Sequence, residues 1–317
     1  MSDIDDDIDD DLDNDLEPIE PLAPTRKKIR HRKVFAVLPT LLTLCNAACG
    51  LGAISIAAKV GPENFNGIEL KTAAQLIFLA MLFDMLDGSA ARLTNQTSDF
   101  GAQLDSLSDA ISFGVAPAFI MLQLAHPDHH LMDAIADAPF NYHPRILFAI
   151  AVLFMWCAIL RLGRFNVETD DDDSHNSFSG LPSPAAAGVV ASFPIAVSAF
   201  KEQLSDPGTV SWVKPAANYL LPGLVILLPL ITLAAAMLMV SRIRYAHLFN
   251  QMIRGRRSRR HMRMIVFAMV LVYVVREMAL PLIFCAFAFS SPLRALGERY
   301  YLKLRKNKTS PPETKAA

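Results

Sequence analysis

The sequence predicts an all-α polytopic membrane protein, a six-helix core followed by two C-terminal helices. Three observations carry this. Six apolar runs of bilayer length lie at about 34–59, 72–93, 101–125, 146–165, 183–200 and 217–240; a crossing needs roughly 20 mostly apolar residues. The 317 residues are 52% hydrophobic and only 19% charged, leaner in charge than a soluble domain of this length. Basic clusters, "RKKIRHRK" at 26–33 and "SRIRYAHLFNQMIRGRRSRRHMR" at 241–263, bracket the six runs. In lipid only helices and closed barrels satisfy their backbone, and runs of this length are helices.

In chain order, residues 1–25 come first. Residues 1–20 hold eleven Asp or Glu and no Lys or Arg. Such a stretch cannot bury enough apolar surface to fold alone and is expected to be a disordered acidic arm. It lacks the basic start and adjacent apolar core of a signal peptide. Without it, twenty acidic residues face thirty basic ones, an excess of about ten positive charges that suits anionic headgroups.

The 26–240 segment is the expected six-span membrane core. Six crossings put both basic clusters on one side, the cytoplasmic one, and the loop 126–145 on the other. The loop 241–263 is then a basic cytoplasmic segment, read as contacting anionic lipid rather than nucleic acid. Residues 264–290 are interrupted by Arg276, Glu277 and Pro281. They are expected to enter and return as a short or re-entrant helix pair, so that the basic tail 291–317 is cytoplasmic as well. A single long span ending outside is the alternative. Cys45, Cys49, Cys157 and Cys285 all fall in apolar runs and imply no disulfide framework. "HPDHH" (126–130) and "TDDDDSH" (169–175) are read as solvated loop segments rather than metal sites.

One stretch contradicts the lipid setting. "FDMLDGSAARLTNQTSDFGAQLDSLSDAISFG" (83–114) places Asp84, Asp87, Asp105 and Asp109 within two of the apolar runs. At about 100° per residue, Asp84, Asp87, Gly88 and Ala91 share one helix face, with Arg92 alongside. Gly101, Asp105, Asp109 and Ser112 share a face of the next span. The two spans run antiparallel, so the acidic faces can meet. An ionised Asp at bilayer depth costs about 3 kcal/mol, and Arg92 cannot balance four. Either several stay protonated or divalent cations sit among them; facing carboxylates suit Mg²⁺, Mn²⁺ or Ca²⁺. A cation pathway in a transporter is the competing reading.

The order Asp84-x-x-Asp87-Gly88-x-x-Ala91-Arg92, eight residues, Gly101-x-x-x-Asp105-x-x-x-Asp109 resembles, at every fixed position, the signature of the CDP-alcohol phosphatidyltransferases. The resemblance implies a six-helix membrane core and a reaction in which the phosphatidyl group of a CDP-activated lipid moves to an alcohol and CMP leaves. It implies two divalent ions, Mg²⁺ or Mn²⁺, held by Asp84, Asp87, Asp105 and Asp109. Asp105 and Asp109 are the implied catalytic residues, Asp109 as general base. Asp87, Gly88, Ala91, Arg92 and Gly101 are implied to receive the CDP portion; Arg92 would pair with its phosphates or with a carboxylate.

The flanks resemble the bacterial phosphatidylserine synthases, one branch of this family. "LPTLLTLCNAACGLGAI" (38–54) matches that branch at Pro39, Thr43, Asn46 and Gly50, with Thr40 and Cys45 in place of its Asn and Gly. "RLGRFNV" (161–167) and "FSGLPSPAAA" (178–187) match further stretches, with Gly163 in place of Ala. Transfer from CDP-diacylglycerol to L-serine is therefore the expected activity. The alternatives are another acceptor of the same family, such as glycerol phosphate, inositol phosphate or choline. Arg161, Arg164 and Asn166 are expected to meet serine carboxylate or lipid phosphate, since guanidinium forks match both; snorkelling anchors are the alternative. The expected setting is a bacterial inner membrane, with the active site facing the cytoplasm, membrane lipids around it and a homodimer as the implied assembly.

Overall fold

A computed structural model describes residues 26–61, 67–94, 99–127, 142–168, 180–205, 213–243, 245 and 278–309. The acidic arm, the first arm of the expected C-terminal pair and most of the loops at 126–145 and 241–263 lie outside these. The described residues are helical, with no strand among them: α1 (Arg26–Ala57), α2 (Ile68–Thr94), α3 (Asp99–Asp109), a π-helix (Ala110–Val115), α4 (Ala116–Ala125), α5 (Pro144–Glu168), α6 (Ser183–Ser205), α7 (Val213–Val240) and α8 (Ala279–Thr309).

Six of these stretches are long and apolar enough to cross a bilayer: Val37–Ala57, Ile68–Ala91, Phe100–Ala125, Pro144–Arg164, Ser183–Leu204 and Leu220–Val240. They coincide with the six expected runs to within four residues at each end. The second begins at Ile68 rather than 72, and the fifth continues to Leu204 rather than 200. In both places polar residues (Lys71 in one, Lys201 and Glu202 in the other) interrupt the apolar pattern without ending the helix. The protein is an integral membrane protein.

The third span is not one uniform helix. After Asp109 the backbone widens into the π-helix, where the Ala116 N–H bonds back to the Ile111 carbonyl, five residues away. Pro117 explains the location. It has no N–H to give Phe113, and its ring would press on that carbonyl in a regular helix. The wider turn relieves the clash, and such insertions frequently mark functional sites.

The bundle is organised around α6. Of its apolar window 78% is buried, the largest share of any span. The reason is its composition: "SPAAAGVVASF" presents small residues, which let neighbouring helices approach closely. Helices α2, α4, α7 and α8 all pack on it. A Cβ on Gly188 would fall inside the Phe284 ring of α8, and that ring also lies 5.5 Å from the Phe78 ring of α2.

Two local devices seat the "SGLPSP" turn. Gly180 has φ +88° and lies so close to the Met239 carbonyl that a side chain would collide with it. Its N–H bonds the Ile243 carbonyl at 2.9 Å and that of Leu181 bonds Leu238 at 3.0 Å, tying the start of α6 to the end of α7. Tyr245, just beyond α7, donates its hydroxyl to the Ala288 carbonyl of α8 at 2.8 Å. Burial pushes its phenol up to about 12, which keeps it a neutral donor. Helix α8 starts at Ala279 and continues unbroken past residue 290 to Thr309; its apolar portion is Ala279–Arg294.

Candidate functional site

The site lies where α1, the C-terminal part of α2 and α3 converge. Asp84 on α2 and Asp105 and Asp109 on α3 bring one carboxylate oxygen each to within 4.8 Å of one another. Asp109 is buried, Asp84 and Asp105 half-buried. The antiparallel α2 and α3 thus present their acidic faces to each other.

Asp87 sits beside this trio rather than in it. It is buried, and its Oδ2 accepts a 2.8 Å bond from the Thr43 hydroxyl of α1. The same hydroxyl is 3.0 Å from the Pro39 carbonyl one turn earlier. A hydroxyl has one proton, so Pro39 and Asp87 compete for it, and a charge-assisted bond to an ionised Asp87 is the stronger.

Helix α1 grips α3 as well. Asn46, fully buried, donates its amide to Asp109 Oδ1 at 3.0 Å. Ser108 donates to the Thr43 carbonyl at 2.7 Å and Ser112, in the π-helix, to the Asn46 carbonyl at 2.8 Å. Gly50, one turn further, makes this approach possible: a Cβ there would stand 2.5 Å from Ser112 Oγ and 2.8 Å from its Cα. Thr43, Asn46 and Gly50, spaced by three and four residues, form a polar and small face of a helix whose Leu41, Leu44 and Leu51 are exposed. Through this stripe α1 reaches two of the aspartates, Asp87 from Thr43 and Asp109 from Asn46.

The residues present fit a hard cation. Three carboxylates gathered within 4.8 Å repel one another unless a positive charge joins them. One oxygen, Asp105 Oδ1, is buried without a partner. Oxygen-only donors at this spacing suit Mg²⁺ or Mn²⁺. Gly88 borders open space, with nothing within 4 Å of where a Cβ would stand.

Arg161 on α5 is half-buried and donates from Nη1 to the Ser183 hydroxyl, 2.8 Å away at the start of α6. Its Nε is buried without a partner, and it lies within electrostatic reach of Asp109. The "RLGRFNV" and "SGLPSP" stretches, 22 residues apart in this pair, therefore meet beside the aspartates. Arg164 is exposed at the same end of α5. Ala91 and Gly101 are helical and half-buried; Arg92 and Asn166 are placed by backbone alone, in α2 and α5.

Comparison with known proteins bears on this arrangement. The CDP-alcohol phosphatidyltransferase family profile matches residues 36–221, which contain every residue described at the site. An archaetidylserine synthase of Methanothermobacter thermautotrophicus is 39% identical over 161 residues, 50% of this chain and 58% of the relative. A CDP-diacylglycerol–serine O-phosphatidyltransferase of Helicobacter pylori is 36% identical over 154 residues, 49% of this chain and 55% of the relative. One of the same name from Mycobacterium bovis is 33% identical over 155 residues, 48% of this chain and 46% of the relative. The chain spans about half the length of these curated relatives. A profile match over more than half the sequence, with three aspartates of the motif gathered from two successive spans, makes the chain a member of the CDP-alcohol phosphatidyltransferase family.

Proposed function

We propose that the chain transfers the phosphatidyl group of CDP-diacylglycerol to L-serine, giving phosphatidylserine and CMP, at a cytoplasm-facing site of a bacterial inner membrane. The observation that carries this is the trio of carboxylates within 4.8 Å, backed by α1. Serine is favoured as acceptor because the similar proteins bear serine-transferring names.

In the reaction the serine hydroxyl oxygen bonds to the phosphatidyl phosphorus and the anhydride bond to CMP breaks. The hydroxyl proton needs an acceptor, because a neutral hydroxyl is a poor nucleophile. Asp109 takes that role. Asn46 holds one of its oxygens from behind and fixes its direction. Asp84, Asp87 and Asp105, with Asp109, would hold Mg²⁺ or Mn²⁺. The ions would supply positive charge against the pyrophosphate and the departing CMP. The open space at Gly88, together with Ala91, Arg92 and Gly101, receives the CDP portion. Arg161, aimed by Ser183, binds the serine carboxylate or the lipid phosphate, with Arg164 and Asn166 at its rim.

The test gives purified protein CDP-diacylglycerol, Mn²⁺ or Mg²⁺, and one alcohol at a time, and measures CMP. Release with serine alone is expected. Release with glycerol phosphate, inositol phosphate or choline instead would keep the chemistry and change the acceptor. Release with none, together with Mn²⁺ flux in vesicles, would favour a cation transporter.

Two substitutions test individual roles. Asn46→Ala removes a bond to a metal-holding carboxylate, and loss of such supporting bonds typically costs 10–100-fold in metal affinity, so about a tenfold weaker Mn²⁺ requirement curve is expected. Arg161→Lys cannot keep a forked contact while bonding Ser183. It is expected to raise the KM for serine by about tenfold, the worth of one charge-assisted bond, and to leave that for CDP-diacylglycerol within about twofold. Equal changes in both would place Arg161 on the lipid phosphate.

A further inference from the structure

At the end of the bundle away from the aspartates, α2 and α6 line an open cleft of about 620 Å³ with Ile68, Lys71, Thr72, Gln75, Ser198, Lys201 and Glu202. This is within the usual ligand-site range of about 300–1,000 Å³. Lys71 is thirteen residues before Asp84, so at 1.5 Å per residue the two sites are about 20 Å apart along α2.

Among the described lining residues, Lys71, Gln75, Ser198 and Lys201 can donate, and Glu202 carries a carboxylate. That carboxylate is a poor partner for Lys71: their atoms are 3.9 Å apart and the Glu202 side chain is 78% exposed. Exposed pairs of this kind contribute little. Lys201 has an acidic neighbour, Glu69, within electrostatic reach. The Thr72 hydroxyl is turned back onto the Ile68 carbonyl at 2.9 Å.

The position of these donors decides the ligand class. Lys71 and Lys201 each lie within one turn of the end of a span, Ile68–Ala91 and Ser183–Leu204 respectively. That is the depth of headgroup phosphates. On α2 the face that carries the cavity continues toward the bilayer centre. At about 100° per residue, Ile68, Lys71, Thr72, Gln75, Leu79, Leu82 and Leu86 lie on one stripe. Its first turns are polar, and Leu79, Leu82 and Leu86 are exposed. A polar pocket running into an exposed apolar track on one helix face matches a phosphate headgroup with its acyl chain, which a soluble anion does not need.

We propose that this cavity binds the phosphate of an anionic phospholipid, seated between Lys71 and Lys201 with a chain along Leu79 and Leu82. The site is separate from the aspartates and does not depend on the activity proposed above.

The test uses the full chain in nonionic detergent and measures retention of phosphatidylglycerol by native mass spectrometry, with diacylglycerol and inorganic phosphate as the other probes. Removing one lysine near a phosphate costs about fivefold, so Lys71→Gln with Lys201→Gln should weaken phosphatidylglycerol retention about thirtyfold. Glu202→Gln removes a repelling carboxylate at an exposed position and should tighten it, which gives a gain of binding that no folding defect can imitate. Undiminished retention in the double lysine variant, or no gain in Glu202→Gln, overturns the proposal. Inorganic phosphate displacing the lipid at equal concentration would overturn the lipid as the source of the phosphate.

Discussion

Asp109→Asn is expected to lower CMP release by about 10²–10⁴-fold, the usual contribution of a positioned proton acceptor, while the protein without metal becomes more heat-stable. The two effects have opposite signs for one reason. Asp84, Asp105 and Asp109 are held within 4.8 Å by the packing of α2 and α3 on α1, an arrangement that costs stability unless a cation joins them. Removing one carboxylate relieves that repulsion. Each kcal/mol recovered shifts the melting midpoint by about 2–4 °C in a chain of this size class. Asp105→Asn should behave alike in stability but differ in chemistry. Its Oδ1 is the buried oxygen without a partner, so its loss should weaken Mn²⁺ binding first and turnover as a consequence. Single-turnover CMP release, Mn²⁺ titration and a melting curve with and without chelator, run on both variants, separate the roles. Normal turnover in either variant would remove the aspartates from the mechanism. A lower melting midpoint for both without metal would mean that the carboxylates are structural.

Gly50→Ala is expected to have the second largest effect, although it touches no reacting group. The added methyl meets the Ser112 backbone at 2.8 Å, and backbone cannot rotate away as a long side chain can. Helix α1 must move off the π-helix, at a cost in the overpacking range of about 1–3 kcal/mol. The same displacement breaks the Ser112-to-Asn46 bond and shifts the amide that holds Asp109. A misplacement of about 1 Å can cost roughly 10²-fold in rate. Turnover should therefore fall by about two orders of magnitude. Ser112→Ala removes only the hydroxyl on the other side of the contact and leaves the backbone atoms in place, so the double variant should recover little of it. A melting curve and the rate, measured for the two single variants and the pair, give the coupling directly. Additive losses would show that Gly50 does not act through its contact with Ser112.

How much of this was legible before any coordinates existed differs from element to element. The six spans were legible because bilayer thickness imposes length and composition on a sequence directly. The Asp motif was legible because carboxylates at bilayer depth are costly enough to stand out, and because their spacing of three and four is the period of a helix face. The π-helix was not. Pro117 announces a disturbed hydrogen bond, but a proline in a span is as often absorbed by a kink, and only the neighbouring helices decide which relief is adopted. The pairing of Arg161 with Ser183 was equally hidden, since no local rule links residues on different spans.

By itself, the sequence determined an all-α membrane core and the face on which each aspartate lies, because both follow from local periodicity and from the cost of charge in lipid. Tertiary structure decided which aspartates meet. Asp84, Asp105 and Asp109 gather, while Asp87 is drawn aside by Thr43. It also decided that α1, through Thr43, Asn46 and Gly50, is the wall that holds them. Contacts between spans depend on how closely two backbones can approach. Here that distance is set by one missing side chain at Gly50 and one widened turn in the facing helix.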